Sequence, residues 1–213
     1  MCGRYWIEPD DTPEELAALL DELEARERRR DAAFRLPRGE VTPGMLTLVK
    51  CRSREGAPRP FAMRWGLPLD RRLVINARLE TADQRPLFRE SFRMRRCLIP
   101  ASAYFEWDHR QKPAPKYLFR LADRPLLRLA GLYRTDGAHG PAFAVLTRTP
   151  TEALAAFHDR MPLILRPEDE AEWLSPDGDP AAVAARAETA LRWEPARETA
   201  VQMRMEESGG LNG

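Results

Sequence analysis

The chain has 213 residues, of which 43% are hydrophobic and 31% charged, and its formal net charge is +1. This length and composition predict a soluble globular protein of one large or two small domains. No apolar run approaches the ~20 residues of a membrane span, and no basic segment precedes an apolar stretch near Met1, so a membrane or secreted protein is not expected.

The first third of the chain predicts one helix followed by short strands. Thr12-Pro13-Glu14-Glu15 has the pattern of a capping box with proline at the first helical position. Leucines follow at helical spacing, namely Leu16, Leu19, Leu20 and Leu23. Strands are predicted at residues 45–49, 61–65 and 73–75, and the last of them runs straight into Asn76.

The rest of the chain predicts a series of strands with few helices. Residues 84–94 are predicted to be helical, and short helices to begin at Pro167 and after Asp179-Pro180. Strands are predicted at 97–99, 104–107, 117–121, 126–132, 143–147 and 162–165. Because no repeat or linker divides the chain, residues 1–205 are predicted to form one α+β domain. Residues 206–213 are expected to be a disordered tail.

Cysteine usage argues against a metal centre. The three cysteines, Cys2, Cys51 and Cys97, are scattered and form neither a disulfide framework nor a CxxC metal site. They suit a reducing compartment, so the expected location is cytoplasmic. We therefore expect no metal and no cofactor.

The first residues, Met1-Cys2-Gly3-Arg4, carry a specific chemical possibility. Methionine is normally removed before a residue as small as cysteine, which would leave Cys2 with a free α-amine beside its thiol. An α-amine has a pKa of about 7.7–8.0, against about 10.4 for lysine, so much more of it is free base at neutral pH. Such an amine attacks an aldehyde to give an imine, and the thiol closes onto the same carbon to give a thiazolidine. The alternative is a buried structural cysteine.

Positive charge is concentrated in the middle of the chain. Residues 52–134 carry 19 Lys or Arg against 8 Asp or Glu, an excess of 11, and nearly all of it is arginine. Arginine binds phosphates through two hydrogen bonds and stacks on bases, so the segregation predicts an anionic partner. Four arginines fall in one row if the predicted helix extends past residue 94, namely Arg85, Arg89, Arg93 and Arg96. This row predicts a DNA contact, or else a solvated face paired with acidic residues.

Three further segments contain residues suited to acid–base chemistry. Asn76 belongs to Ile75-Asn76-Ala77-Arg78-Leu79-Glu80-Thr81, directly after a predicted strand. Glu106 lies between aromatic residues, where loss of solvation would raise its pKa. His158 belongs to Phe157-His158-Asp159-Arg160-Met161-Pro162 and can change charge near neutral pH. Each of these alone is more often structural than catalytic.

Taken together, these motifs resemble the SRAP family, the SOS-response-associated peptidase-like proteins that crosslink to abasic sites in single-stranded DNA. The resemblance extends from Cys2 to about Trp193. It rests on the Cys-Gly-Arg start, Arg64-Trp65-Gly66-Leu67, the Asn-Ala-Arg-x-Glu-Thr segment, the Arg-Cys-Leu-Ile-Pro-Ala…Glu-Trp segment and His-Asp-Arg-Met-Pro. It implies curved or barrel-like antiparallel sheets with flanking helices and a nucleoid-associated location.

The resemblance also implies roles for individual residues. Cys2 would form the thiazolidine with the ring-opened abasic sugar, Asn76 would hold the N-terminal residue or the sugar, and Glu106 would move protons. His158 would act as acid or base, including in strand cleavage or crosslink reversal. The implied DNA contacts are phosphate clamping by Arg4, Arg78 and Arg160 and base stacking by Trp65. Arg85 and Arg89, from the arginine row, join the predicted DNA-binding residues.

The sequence departs from the family pattern in the segment after Trp-Gly-Leu, where Pro68-Leu69-Asp70-Arg71-Arg72 is shorter than usual. Two other functions use the same residues. One is a cysteine peptidase or N-terminal-nucleophile hydrolase with Cys2, His158 and Glu106. The other is a non-catalytic nucleic-acid-binding module. No membrane partner is expected, and nothing in the sequence requires more than a monomer.

Overall fold

In the computed structural model, which describes residues 2–135 and 140–196, most of the chain lies in two sheets that share one hydrophobic core. The strands are β1 Arg4–Ile7, β2 Gly39–Val41, β3 Leu46–Arg52, β4 Pro58–Trp65, β5 Leu67–Leu69, β6 Arg72–Val74, β7 Asn76–Arg78, β8 Arg96–Ala101, β9 Ala103–Trp107, β10 Lys116–Leu121, β11 Leu127–Arg134, β12 Ala142–Arg148, β13 Met161–Pro162 and β14 Leu191–Pro195. The expected tail at 206–213 lies outside the described residues.

Helices are few and short apart from the first. They are α1 Glu14–Glu27, α2 Arg89–Met94, α3 Glu152–Ala155, α4 Glu170–Leu174 and α5 Pro180–Ala185, with 3₁₀ turns at Leu79–Thr81 and Pro167–Asp169. No helix among residues 2–135 and 140–196 is long and apolar enough to cross a membrane. The strand-rich α+β fold with several antiparallel sheets is the one that the sequence predicted.

The first sheet has the strand order β14-β10-β9-β1-β2, and every pair in it is antiparallel. The second has the order β11-β8-β3-β4-β12-β13, with β11 and β7 also paired to β12. β12 runs parallel to β4 and β7, whereas the other pairs are antiparallel. The hairpin β5–β6 forms a separate two-stranded sheet directly before β7.

The core lies between the two sheets because successive side chains of each strand point to opposite faces of its sheet. Tyr5 and Ile7 of β1 meet Trp65 and Phe143 of the second sheet in one cluster, and α1 adds the buried leucines Leu16, Leu20 and Leu23. The opposite face of the second sheet packs on α4 and α5 in a smaller cluster around Trp173. Because β8 is buried at every position, it has a nearly continuous apolar sequence.

Several predicted boundaries were wrong for identifiable reasons. The capping box does not form: α1 begins at Glu14 after Pro13, and the Thr12 hydroxyl donates instead to the Glu8 carbonyl. The predicted strand at 162–165 shortens to Met161–Pro162. The predicted short helix after Asp179-Pro180 is confirmed as α5, and the Asp179 side chain accepts hydrogen bonds from its first amides at 2.9 and 3.1 Å.

Candidate functional site

The segment that contains Cys2 is held by Asn76. The Asn76 side-chain Nδ2 donates a hydrogen bond to the Cys2 backbone oxygen at 3.1 Å. Asn76 opens β7, which pairs in parallel with β12 at Val145, and the carbonyl just before it, that of Ile75, accepts from the Trp65 indole nitrogen at 3.1 Å. The two neighbouring elements therefore fix the position from which Asn76 reaches the N-terminal segment.

A close approach of the chain to itself stabilises this position. Gly66, just before the hairpin β5–β6, has a φ of +113°, a backbone conformation that favours glycine. A Cβ at Gly66 would lie 2.9 Å from the Leu73 Cβ. The absence of a side chain therefore lets the hairpin fold back closely on the turn before it delivers the chain to Asn76.

Asn76 also offers an acceptor. Its Oδ1 atom is buried and, among the described residues, accepts no hydrogen bond. A buried polar atom without a partner costs about 1–3 kcal/mol. An N–H or O–H of a bound substrate would recover that cost, so the amide can bind the Cys2 backbone with one atom and a ligand with the other.

The Cys2 thiol is sealed from solvent. The residue is fully buried, and its Sγ donates a weak hydrogen bond to the Arg4 carbonyl at 3.9 Å. Burial raises the pKa of the thiol well above its usual range, and the negative charge of Glu106 acts in the same direction. The sulfur is therefore protonated at neutral pH and needs a base before it can act as a nucleophile.

Glu106 is a carboxylate whose charge acts on the Cys2 thiol. It lies on β9 opposite Tyr117 of β10, with only 4% of its surface exposed. Burial raises the pKa of its carboxyl group, as the aromatic flanks in the sequence had predicted. A carboxylate with a raised pKa is a stronger base than an ordinary surface glutamate, which suits proton transfer near neutral pH.

His158 follows α3 and is half-buried. Its Nδ1 atom lies 2.5 Å from an Asp159 carboxylate oxygen and accepts from the Arg160 amide at 3.1 Å. These two contacts need opposite protonation states of Nδ1 and are therefore alternatives. Burial is the largest influence and lowers the pKa of His158, although Asp159 opposes it, so the neutral imidazole is favoured at pH 7.

His109 is a member of this group that sequence reasoning missed. It follows β9, three residues after Glu106, and its exposed ring lies 6.5 Å from the His158 ring, centroid to centroid, at 71°. Its proximity to Glu106 was the one signal available in the sequence. We call Cys2, Asn76, Glu106, His109 and His158 the Cys2 centre. Asn76 contacts Cys2, Glu106 acts electrostatically on Cys2, and His109 connects Glu106 with His158.

Two of the predicted phosphate ligands are already paired with carboxylates. Arg4 forms an ion pair with Glu40, and Arg160 binds both oxygens of Glu80 at 2.9 and 2.6 Å. Arg160 also donates to the Thr147 carbonyl at 2.7 Å, and only 10% of its side chain is exposed. Hydrogen bonds from Arg160 are the main cause that lowers the pKa of Glu80 to about 2. Phosphate clamping by Arg4 and Arg160 stays a prediction, and it would require each arginine to share or leave its carboxylate partner.

Other predicted cations remain on the surface. Arg78 is exposed on β7, two residues after Asn76, and alternation along the strand places both on the same side. Arg85 and Arg89 are also exposed. The predicted arginine row ends at Arg93, which is also exposed, because α2 covers only Arg89–Met94. Arg96 enters β8, where it is buried and donates to the Trp173 carbonyl at 2.7 Å.

The predicted base contact by Trp65 is wrong in this structure. Its ring is fully buried, stacks on Phe143 at 6.3 Å and packs against Tyr5 at 5.1 Å between ring centroids. With its indole N–H bonded to Ile75, the residue supports the turn before Asn76 from inside the core. Trp65 therefore acts on the site through packing and is not available to stack on a base.

Comparisons with known proteins agree with this fold. A family model described as SOS response associated peptidase (SRAP) matches residues 1–205. The abasic site processing protein YoqW of Bacillus subtilis is 33% identical over 199 residues, covering 83% of this chain and 81% of that protein. The abasic site processing protein YedK of Escherichia coli is 31% identical over 185 residues, covering 82% of this chain and 79% of that protein. A solved structure from Bacteroides thetaiotaomicron superposes with a TM-score of 0.71 at 22% identity, covering 92% and 93%.

Proposed function

The chain belongs to the SRAP family, and on that basis we propose that it processes abasic sites in DNA. More specifically, the substrate is an abasic site in single-stranded DNA, and Cys2 forms a covalent link that shields the lesion. The protein acts as a monomer, in the cytoplasm and associated with the nucleoid. The observation that carries this proposal is the hydrogen bond by which Asn76 holds the Cys2 backbone beside the buried Glu106 carboxyl group.

The proposed reaction begins at the Cys2 α-amine, which Met1 removal exposes. The amine adds to the aldehyde of the ring-opened sugar and the adduct loses water, leaving an imine. The thiol then adds across the C=N bond: sulfur bonds to carbon, and the thiol proton ends on nitrogen. Glu106 carries that proton, accepting it from sulfur and returning it to nitrogen. The product is a thiazolidine, and no cofactor takes part.

In this proposal, His158 transfers protons to and from the sugar. As a neutral imidazole it removes the proton of the anomeric hydroxyl group while the ring opens, and the imidazolium returns it to the ring oxygen. An associated lyase activity uses the same imine. Removal of the proton on the neighbouring sugar carbon by His158 breaks the adjacent C–O bond, and the 3′ phosphate leaves with its electron pair.

The exposed arginines bind the DNA backbone in this proposal. Arg78 lies on the strand that carries Asn76, so a phosphate flanking the lesion reaches it while the sugar occupies the Cys2 centre. Arg85 and Arg89 extend the contact along the strand. Arg4 and Arg160 contribute mainly by holding Glu40 and Glu80 in place.

The buried thiol argues against the peptidase alternative. A cysteine peptidase attacks with a thiolate, which requires a lowered thiol pKa and a histidine that activates the sulfur. At Cys2, burial and Glu106 both raise the pKa of the thiol. An aminothiol mechanism does not need a preformed thiolate, because the amine attacks first and the sulfur follows within the same residue.

The test is a denaturing gel with a single-stranded oligonucleotide that carries one abasic site. We expect a shifted, reductant-independent band for the wild-type protein and none with undamaged DNA. Cys2→Ala removes that band, whereas Cys51→Ala, which removes another buried thiol, leaves it in place. A stable band with Cys2→Ala would refute the thiazolidine. Cleavage of an unfolded protein substrate without any DNA band would favour the peptidase.

A further inference from the structure

His109 occupies a distinctive position beside the Cys2 centre. It lies on the connection from β9 to β10, so its backbone continues the strand that carries Glu106. Its ring is exposed, whereas Glu106 is buried and His158 is half-buried. The near-perpendicular arrangement of the two imidazole rings, with centroids 6.5 Å apart, places a titratable group at the open side of the centre.

The charged groups near His109 belong to three segments, the first of which is β9 with Glu106. The β9–β10 connection provides Asp108 and Arg110, and the segment after α3 provides His158 and Asp159. Asp108 is already bound by Arg110 at 2.7 and 2.8 Å and by Gln111 at 2.9 Å.

Asp159 is likewise occupied, because one of its carboxylate oxygens lies 2.5 Å from the His158 Nδ1. The described groups whose pKa values the His109 charge lowers are Glu106 and His158.

We propose that His109 is a positioning residue of the Cys2 centre, which acts through Glu106 and His158 by holding a switchable positive charge beside both. This inference rests on the proposed function, which assigns the proton transfers to Glu106 and His158. His109 itself gives up no proton to the substrate and forms no bond to it.

The charge of His109 lowers the pKa of both Glu106 and His158. Burial raises the pKa of Glu106, and the His109 charge opposes part of that rise, which favours the ionised carboxylate. Burial lowers the pKa of His158, and the His109 charge adds to that effect, which keeps the imidazole neutral. A positive charge on His109 therefore favours the base form of both groups, which is the form that the proposed reaction needs.

Three variants separate this role from a general effect of surface charge. His109→Gln removes the switchable charge, and His109→Lys makes it permanent at neutral pH. Lys112→Gln removes one positive charge from an exposed position of the same connection. The readouts are an NMR titration of the His158 ring in the DNA-free protein and the pH profile of crosslinking to abasic single-stranded DNA.

In His109→Gln, we expect His158 to titrate at a pH higher by roughly 0.5 to 1, and the crosslinking profile to move the same way. His109→Lys should keep both near or below the wild-type values, and Lys112→Gln should leave both unchanged. Superimposable titrations of wild type and His109→Gln would overturn the inference, and so would an equal change in Lys112→Gln. If the wild type forms no crosslink, the proposed function fails, while the titration still decides the role of His109.

Discussion

Asn76 and Cys2 are joined by a 3.1 Å hydrogen bond across 74 residues of sequence, from a side-chain amide to a backbone oxygen. The bond fixes the backbone of the residue whose nitrogen and sulfur are proposed to react. Positioning of this kind accounts for a large part of the barrier reduction in reactions that join two groups. It also makes Asn76 a position where a small change should alter chemistry without altering DNA affinity.

Asn76→Ala should slow crosslinking about fivefold or more, because the loss of one positioning hydrogen bond is worth about 1 kcal/mol or more. Affinity for DNA without an abasic site should stay near the wild-type value. Single-turnover crosslinking and fluorescence anisotropy measure the two effects separately. Gln84→Ala, at an exposed position beyond β7, is the matched control. A parallel loss of rate and affinity would show that Asn76 mainly binds DNA.

Glu106→Gln should slow crosslinking and remove one pH-dependent loss of folding stability. Because burial raises the folded-state pKa of Glu106 above its unfolded value, the wild type loses stability as pH rises from the unfolded value through the folded one. A difference of one between the folded and unfolded pKa values corresponds to about 1.4 kcal/mol of unfolding free energy. The glutamine variant should lack this loss and crosslink far more slowly. Urea unfolding at several pH values tests this, and an unchanged pH dependence would contradict it.

Arg78→Ala should reduce the slope of log affinity against log salt by about one, because one phosphate contact is lost. Arg160→Ala should change that slope less, since its charge is already paired with Glu80. Binding titrations with single-stranded DNA at four or more salt concentrations give both slopes. Equal effects of the two substitutions would mean that Arg160 leaves Glu80 when DNA binds.

Trp65→Phe should cost about 1–3 kcal/mol of folding free energy, because the Ile75 carbonyl keeps only the Val145 amide as a donor and the core loses volume. The folded variant should bind DNA normally. Trp193→Phe, on the half-exposed β14, serves as the control with a much smaller cost. Reduced DNA affinity at wild-type stability would instead indicate that the Trp65 indole contacts DNA.

An uncleavable N-terminal extension should abolish crosslinking as completely as Cys2→Ala does. The extension turns the Cys2 nitrogen into an amide, which is not nucleophilic, so no imine forms. DNA binding should persist, because phosphate contacts supply most of it. Two otherwise identical proteins, with and without the extension, provide the comparison on a denaturing gel. Equal crosslinking by both would rule out the aminothiol mechanism.

The central strands were predictable because the pattern of apolar and polar residues along each of them follows which positions are buried. Strands β3, β4 and β8 to β12 all lie where alternating or continuous apolar runs predicted them. Strands β1 and β14 were missed because they are short, and β14 is largely exposed, so neither has a clear pattern. Local sequence also could not show that α2 is only six residues long, because tertiary packing draws Arg96 into β8.

The site was predictable as a set of residues but not as a network of contacts. Cys2, Asn76, Glu106 and His158 stood out through their chemistry and their motifs. The Arg160–Glu80 pair joins residues 80 positions apart, and nothing local distinguishes a paired arginine from a free one. Trp65 illustrates the same limit, because an aromatic residue in a strand suits a core and a base-stacking surface equally well.

The pairing of β1 with β9 has a consequence for the order of events during synthesis. Arg4 is matched with Phe105, so the N-terminal strand cannot reach its final place until roughly the first half of the chain has left the ribosome. Cys2, next to that strand, is fully buried once it docks. We expect an aminopeptidase to reach the Cys2 backbone most easily before β1 pairs with β9. The proposed maturation of Cys2 would then take place during synthesis, before the first sheet is complete.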